Sequence, residues 1–298
     1  MEEVLMVENI GWREISVEEH KQHALRILVE VADFCEKNDI RYFLAYGTLI
    51  GAVRHEGFIP WDDDIDIQMP RPDYDRFVEL FNKREHQDNI LAVAPTDEIA
   101  RHTFIKVCDF DTRKIEEGIL YKNEKYLGID IDVFPIDGLP ESDEEYKKSF
   151  KRKRRLFERY TTITKSLYVD DLRINIISLL KLIKRSAVVA QGRLGEALFG
   201  SWKREYLLKK MYQLETEIPY DTAKLVGTNC AGFDVYGDRY PKSCYDSFIY
   251  MNFEGHKLRG PVGYDEILTK QYGDYMTPPP VEKQVTHHGN RVYVHNVN

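Results

Sequence analysis

Aspartate alternates with apolar residues in two short segments of this chain of 298 residues. Residues 64–67 read Asp-Ile-Asp-Ile, and residues 128–134 read Gly-Ile-Asp-Ile-Asp-Val-Phe. Successive side chains of a β-strand point to opposite faces, so each segment, as a strand, has one apolar face and one carboxylate face. The pattern therefore predicts two strands that bury isoleucine and valine on one side of a sheet and present carboxylates on the other.

The carboxylate faces indicate metal-dependent chemistry. Asp64 and Asp66 share one face of the first strand, and Asp130 and Asp132 share one face of the second. Two ionised carboxylates on one rigid strand repel each other, and a bound cation relieves that repulsion. If the two strands are neighbours, Asp132 reaches the same ions, as two-metal phosphoryl transfer requires. The alternatives are a solvated acidic loop or a helix N-cap at residues 62–64, and an exposed strand face at Asp130. Asp62 and Asp63 are expected only to support the site or to cap the start of the strand.

A glycine–threonine turn upstream adds a phosphate-binding feature. Gly47 and Thr48 lie between a predicted strand over residues 41–46 and a predicted helix over residues 48–55. Glycine lets the backbone approach a phosphate closely, and a helix N-terminus offers free N–H groups beside the threonine hydroxyl. Many strand–helix turns contain glycine, so this turn is informative only because the two aspartates follow it.

The remaining pattern predicts an α+β protein with three parts. A capping box at residues 16–19 opens an amphipathic helix that runs to about Lys37. Further strands are predicted over residues 64–69, 102–109 and 128–134, and a further helix opens at Pro72. Acidic and then basic residues follow position 141. We assign residues 1–140 to an α/β core, 141–220 to a mainly helical insertion or lid, and 221–298 to a C-terminal part that completes the catalytic domain.

Composition excludes several classes of protein. The formal net charge of −8 argues against nucleic acid as a partner, because duplex-binding proteins need a basic face. The four cysteines form no C-x-x-C pair, which favours free thiols in a reducing compartment. A zinc site built from Cys230, Cys244 and His256 is the alternative.

Signal-peptide features and long apolar runs are missing from the sequence. We therefore expect a cytoplasmic protein with at most peripheral contact with the inner face of the membrane.

Three blocks of sequence, in this order, resemble the LicD family. Residues 46–66 resemble its first signature, residues 131–138 (Ile-Asp-Val-Phe-Pro-Ile-Asp-Gly) its second block, and residues 272–280 with His287 its C-terminal signature. The resemblance covers about residues 20–140 and 250–288. It implies a nucleotidyltransferase fold of the DNA polymerase β type, in which helices flank a mixed sheet, here with a mainly helical insertion.

The resemblance also implies a reaction. LicD-like proteins transfer phosphocholine from CDP-choline to a sugar hydroxyl of a cell-surface glycan, of the teichoic acid or lipopolysaccharide type, including lipid-linked acceptors. Relatives use CDP-ribitol, so ribitol, glycerol or ethanolamine phosphate are alternatives to choline. The implied cofactor is Mg²⁺, or Mn²⁺ instead, held by the expected catalytic residues Asp64, Asp66 and Asp132. The expected substrate-binding residues are Gly47, Thr48, Arg54, Trp61, Lys106 and His287.

Three rival functions are compatible with the same carboxylates. They are true nucleotidyl transfer, metal-dependent phosphohydrolysis, and binding of a glycan by a degenerate, non-enzymatic relative. The basic run at residues 147–155, with seven basic residues of nine, also has two interpretations. It forms a solvated helix face, or it contacts anionic lipid or a polyphosphate acceptor.

Overall fold

The computed structural model describes residues 11–85, 89–97, 99–100, 102–115, 127–164, 203–230, 232, 238–285 and 291–295. These residues form helices and a mixed sheet, so the predicted α+β class is confirmed. Within the described ranges, no helix is both long enough and apolar enough to cross a membrane. The division at residues 140 and 220 stays a prediction.

The first helix begins where the sequence predicts. Ser16 Oγ accepts a hydrogen bond from the backbone N–H of Glu19 at 3.2 Å, and the Glu19 carboxylate accepts one from the N–H of Ser16 at 3.2 Å. This reciprocal capping box satisfies two N–H groups that the helix itself leaves unpaired. The helices are α1 (Val17–Lys37), α2 (Tyr46–His55), α3 (Arg71–Phe81), α4 (Asp143–Thr164), α5 (residues 203–215) and α6 (Tyr264–Tyr272).

The central sheet brings together strands that are far apart in sequence. It contains β2 (Phe43–Leu44), β3 (Asp66–Pro70), β4 (Ile90–Val93), β5 (Ile105–Asp109), β7 (Ile129–Leu139), β8 (Leu225–Thr228) and β9 (Tyr240–Pro241). Its main order is β2-β3-β7-β5-β4, and β8 pairs with the second half of β7 and with β9. Strands β3 and β7 are parallel, and the other pairs are antiparallel. The two segments that alternate aspartate with apolar residues are therefore neighbours in the sheet.

The apolar faces of the two alternating segments lie in the main core. The side chains involved are almost fully buried and share one cluster with α1 and α3: Ile65, Ile67, Ile129, Ile131 and Val133. Burial of a side chain of this size contributes about 1.5–3 kcal/mol relative to exposure. The hydrophobic effect thus fixes which face of β3 and β7 carries the carboxylates.

Several predicted boundaries were wrong. The strand predicted over residues 41–46 covers only Phe43–Leu44, because Tyr46 already belongs to α2. The strand predicted from residue 64 begins at Asp66, whose N–H bonds to the Thr48 hydroxyl rather than to a neighbouring strand. The strand predicted over residues 128–134 continues to Leu139, because its second half pairs with β8.

Two smaller sheets complete the described chain. Strands β1 (Trp12–Glu14) and β6 (Thr112–Ile115) both pair with β12 (Arg291–His295), which lies between them. Strands β10 (Phe248–Phe253) and β11 (His256–Pro261) form an antiparallel hairpin. Its turn residues, Glu254 and Gly255, both have positive φ, the geometry of a tight two-residue hairpin turn.

Helices α4 and α5 pack together and are tied to the sheet by a buried ion pair. Tyr160 of α4 lies in one apolar cluster with Leu207 and Met211 of α5. At the end of α5, Glu215 lies 3.5 Å from the guanidinium group of Arg71, which also donates two 2.7 Å hydrogen bonds to Asp137 of β7. This buried charge network holds the helical pair against the end of β7 that is distant from Asp132.

Candidate active site

Three neighbouring strands place charged residues in one row. In the parallel pair β3–β7, Asp66 is opposite Asp132, and in the antiparallel pair β7–β5, Asp132 is opposite Lys106. Directly paired residues of neighbouring strands point to the same face and lie about 5 Å apart. The predicted meeting of Asp66 with Asp132 follows from this register.

Lys106 neutralises the carboxylates of β7. Its Nζ lies 2.5 Å from Asp132 Oδ1 and 3.3 Å from Asp130 Oδ1, and Lys114 Nζ lies 2.9 Å from the same Asp130 atom. Burial lowers the pKa of Lys106, but Asp130 and Asp132 outweigh burial and raise it above its ordinary value. Burial raises the pKa of Asp130, and Lys106 with Lys114 reverses that effect and lowers it. Both lysines are therefore charged in the folded protein.

The carboxylates around Asp66 exceed the nearby positive charge. Burial raises the pKa of Asp66 well above its ordinary value, and the charges of Asp64, Asp132 and Asp62 raise it further. Burial also raises the pKa of Asp132, although Lys106 opposes this. Clustered carboxylates with elevated pKa values mark a place where added positive charge is favourable.

Hard carboxylate oxygens with excess negative charge have the donor chemistry that suits Mg²⁺. Among the described residues, however, no group of three or more His, Cys, Asp or Glu side chains is arranged to hold a metal ion. Asp132 is not free to bind a metal ion in this arrangement, because the Lys106 ammonium group contacts its Oδ1. Metal binding by Asp64, Asp66 and Asp132 therefore stays a prediction, and it requires a shift of these side chains.

The zinc alternative finds no support in the described residues. Cys230 packs in one apolar cluster with Phe104 and Phe134, whereas Cys244 packs in another with Ile267. Both thiols are buried. His256 lies at the start of β11, where its side chain is exposed. The three residues therefore do not form a site.

The Gly47–Thr48 turn lies against the carboxylate cluster. A methyl group on Gly47 would lie 2.6 Å from Oδ2 of Asp62, so the carboxylate keeps its position only beside glycine. Thr48 Oγ1 accepts a 2.8 Å hydrogen bond from the N–H of Asp66, which joins the turn to the start of β3. Tyr46, the first residue of α2, has a φ of 48°, an uncommon conformation for a non-glycine residue.

A buried polar network, which the sequence analysis did not predict, fixes the side chain of Tyr46. Tyr46 Oη donates to Thr228 Oγ1 at 2.7 Å, and Gln68 Nε2 donates to the same atom at 2.7 Å. Tyr245 Oη donates to Gln68 Oε1 at 3.3 Å. The only available signal was Gln68, a polar residue between the apolar residues of β3. Strained residues that are held in this way are concentrated at functional sites.

The other predicted binding residues have partners within the protein. Arg54 donates from Nη1 to the carbonyl oxygen of Tyr275 at 2.6 Å and from Nε to His55 Nε2 at 2.9 Å. Trp61 packs at the edge of the core, with its ring edge-to-face against His55 at 6.4 Å. Lys106 contacts carboxylates, as described above. Substrate contact by Arg54, Trp61 and Lys106 stays a prediction, and His287 lies outside the described residues.

Tyr272 approaches the carboxylates from the C-terminal part of the chain. It is the last residue of α6, and the residue is 47% exposed. Burial raises the pKa of its hydroxyl group, and the charges of Asp66, Asp238, Asp62 and Asp64 raise it further. The C-terminal part of the chain therefore contributes an aromatic ring beside the site.

Comparison with known proteins places this site in a family. Residues 39–168 match the model of the LicD/FKTN/FKRP nucleotidyltransferase domain. The lipopolysaccharide cholinephosphotransferase LicD of Haemophilus influenzae is 31% identical over 284 residues, which cover 95% of this chain and 99% of that protein. This chain belongs to the LicD family. The matched residues 39–168 include the Gly47 turn and the row formed by Asp66, Asp132 and Lys106.

Two shorter similarities involve uncharacterized proteins. One, from Rickettsia prowazekii, is 29% identical over 98 residues, which cover 33% of this chain and 36% of that protein. The other, from Rickettsia typhi, is 40% identical over 55 residues, which cover 18% of each chain. Neither adds a function to this LicD-family member.

Proposed function

We propose that this LicD-family protein is a transferase that moves phosphocholine from CDP-choline to a hydroxyl group of a lipopolysaccharide-type glycan, with Mg²⁺ as cofactor. The observation that carries the proposal is the 31% identity, over almost the full length of both chains, with the lipopolysaccharide cholinephosphotransferase of Haemophilus influenzae. The alignment of Asp66 with Asp132 across parallel strands supports a phosphotransfer site.

The residues have distinct proposed roles. Asp64 and Asp66 would hold Mg²⁺, and Asp132 would complete the set, with Mn²⁺ as the alternative ion. When bound, the ion would supply charge neutralisation on the diphosphate of the donor. The N-terminus of α2 has no side-chain cap, so the N–H groups around Gly47 suit a phosphate oxygen. The Thr48 hydroxyl group can donate to phosphate while it accepts from Asp66.

The transfer step makes one bond and breaks one. The sugar oxygen attacks the phosphorus atom that carries choline, the bond from that phosphorus to CMP breaks, and CMP leaves. The hydroxyl proton passes to solvent water as the new bond forms, and Asp132, as a ligand of the ion, would help to lower the proton affinity of that hydroxyl group. Lys106, whose Nζ lies 2.5 Å from Asp132 Oδ1, orients that carboxylate.

The test is product analysis with purified protein, CDP-choline, lipopolysaccharide and Mg²⁺. We expect release of CMP and incorporation of choline into the glycan, and we expect Asp66→Asn to reduce turnover at least 100-fold. Asp33→Asn is the matched control, because Asp33 is an exposed aspartate on α1. Full turnover of the Asp66→Asn protein would remove that residue from the mechanism.

Each rival function predicts a different product. Incorporation of the cytidine nucleotide into the glycan would indicate nucleotidyl transfer, and phosphocholine release to water alone would indicate hydrolysis. Turnover of CDP-ribitol, CDP-glycerol or CDP-ethanolamine in preference to CDP-choline would identify that compound as the donor instead. Glycan binding without turnover of any donor would indicate a non-enzymatic binding protein.

A further inference from the structure

Helix α4 carries four basic side chains along one face, distant from the candidate active site. Lys148, Arg152, Arg155 and Arg159 follow one another at spacings of four, three and four residues, which places them on the same side of the helix. We call these four residues the basic stripe. At 1.5 Å per residue, the stripe is about 16 Å long.

The basic stripe lines a cleft between α4 and α5. A cavity of about 480 Å³ contains Arg152, Arg155 and Arg159 on one side and Lys210 of α5 on the other, with Leu156 and Leu214 as apolar surface. An adjoining cavity of about 310 Å³ extends the cleft to Lys148 and to Gly138 near the end of β7. Together these cavities have the volume of a small-molecule site and a concave shape.

Positive charge in the cleft exceeds negative charge. Two carboxylates line the cleft, those of Glu145 and Glu217. Five basic side chains also line it, namely the four of the basic stripe and that of Lys210. Glu217 pairs with Arg152 at 3.7 Å. In the described part of the chain, neither Arg155 nor Arg159 has a carboxylate within ion-pair distance. The whole chain has a net charge of −8, so the charge of the cleft is opposite in sign to that of the chain as a whole.

Like charges at these helical spacings destabilise a helix, and a bound anion removes that repulsion. Guanidinium groups bind phosphate oxygens through two parallel hydrogen bonds, and arginine is suited to this geometry. The exposed side chains of Arg155 and Arg159 line this open cleft together, which suits a phosphorylated molecule that lies along it.

The cleft is too far from the carboxylate row to bind the donor. Gly138 lies at the edge of the cleft, and Asp132 lies six residues earlier on the same strand. At about 3.3 Å per residue, the two positions are about 20 Å apart. An anion in the cleft therefore belongs to a second molecule or to a distant part of a long acceptor.

We propose that the cleft between α4 and α5 binds a phosphorylated saccharide, namely a phosphate-bearing part of the acceptor glycan. The identity of this saccharide as the acceptor rests on the proposed function. The binding site itself rests on the basic stripe, on Lys210 and on the cavity that they line. Its role is to position the acceptor, so its loss affects acceptor binding rather than the chemical step.

The first experiment measures binding of inorganic tripolyphosphate by calorimetry at low salt. We expect Arg155→Gln/Arg159→Gln to weaken binding at least 10-fold. The matched control is Lys147→Gln/Lys151→Gln, which removes the same charge at the same spacing from exposed positions of α4 that do not line the cleft. We expect that control to change binding less than 2-fold. Equal loss in both variants, or no binding by the unaltered protein, would overturn the proposal.

The second experiment measures transfer kinetics with native lipopolysaccharide and with lipopolysaccharide from which the phosphates have been removed. We expect Arg155→Gln/Arg159→Gln to raise KM for the native acceptor at least 5-fold, with kcat and KM for CDP-choline unchanged, and to have no effect with the dephosphorylated acceptor. An equal effect on both acceptors would refute the assignment. Loss of binding to vesicles containing phosphatidylglycerol, with tripolyphosphate binding intact, would assign the cleft to the membrane instead. Tripolyphosphate binding without CDP-choline turnover would refute the proposed function and leave the site standing.

Discussion

Replacing Lys106 with methionine tests the charge balance of the carboxylate row. Methionine keeps most of the aliphatic volume and removes the ammonium group that lies 2.5 Å from Asp132 and 3.3 Å from Asp130. Loss of one partner from a buried ion pair costs about 3–5 kcal/mol, because it leaves a buried charge uncompensated. Lys114 still neutralises Asp130, so we expect the lower end of this range, about 3 kcal/mol.

The loss of stability depends on pH. Without Lys106, burial and the charge of Asp130 raise the pKa of Asp132 further above the value of about 3.9 for an unfolded aspartate. The folded variant then binds a proton more tightly than the unfolded chain does, so its stability falls as pH rises. Compared with the unaltered protein at each pH, we expect a deficit of about 3 kcal/mol at pH 7.5 that falls to about 1 kcal/mol or less at pH 4.5.

Urea unfolding monitored by tryptophan fluorescence measures this deficit, since the chain contains three tryptophans. The matched variant Lys106→Met/Asp132→Asn removes the uncompensated charge, and we expect it to recover at least half of the stability lost at pH 7.5. A deficit below about 1 kcal/mol at pH 7.5, or the same deficit at both pH values, would show that Lys106 does not compensate Asp132.

Three further substitutions test individual contacts. We expect Gly47→Ala to change the free energy of unfolding by less than about 1 kcal/mol, because the new methyl group displaces only the carboxylate of Asp62. We expect the same substitution to raise KM for CDP-choline at least 10-fold in the CMP-release assay. Thr48→Val leaves the N–H of Asp66 without its acceptor and should cost about 1–3 kcal/mol in urea unfolding, whereas Thr48→Ser should retain stability. Ser16→Ala removes one half of the capping box of α1 and should cost about 1 kcal/mol with activity unchanged, and an unaltered unfolding midpoint would contradict the role of the cap.

The sequence predicted the faces of the key strands but not their register. Because side chains alternate between the two faces of a strand and the core buries the isoleucines, Asp66 and Asp132 must lie on the other face of the sheet. The direct pairing of the two aspartates depends on a parallel contact between segments more than 60 residues apart, which local patterns do not encode. The pairing of Lys106 with Asp132 depends in the same way on the antiparallel register of β5 and β7.

Long-range contacts also explain the residues whose partners the sequence did not reveal. Arg54 was expected to bind substrate through its positive charge. Its observed partners are the ring of the adjacent His55 and the backbone carbonyl group of Tyr275, and the contact with Tyr275 carries no signature in the sequence. The strained backbone of Tyr46 was likewise invisible, because the Thr228 hydroxyl group that fixes its side chain lies 182 positions later. The sequence thus shows which residue types are present, but only the folded structure shows which residues they contact.

The position of β12 between β1 and β6 affects the protein during its synthesis. The ribosome completes β6 at residue 115, but the strand that pairs with it begins only at residue 291. At about 5–20 residues per second, roughly 10–35 s separate the two events. Throughout that interval the nascent chain presents two strand edges without their shared partner, and such edges are prone to pair with other chains. Synthesis of β12 therefore covers both of these edges at once.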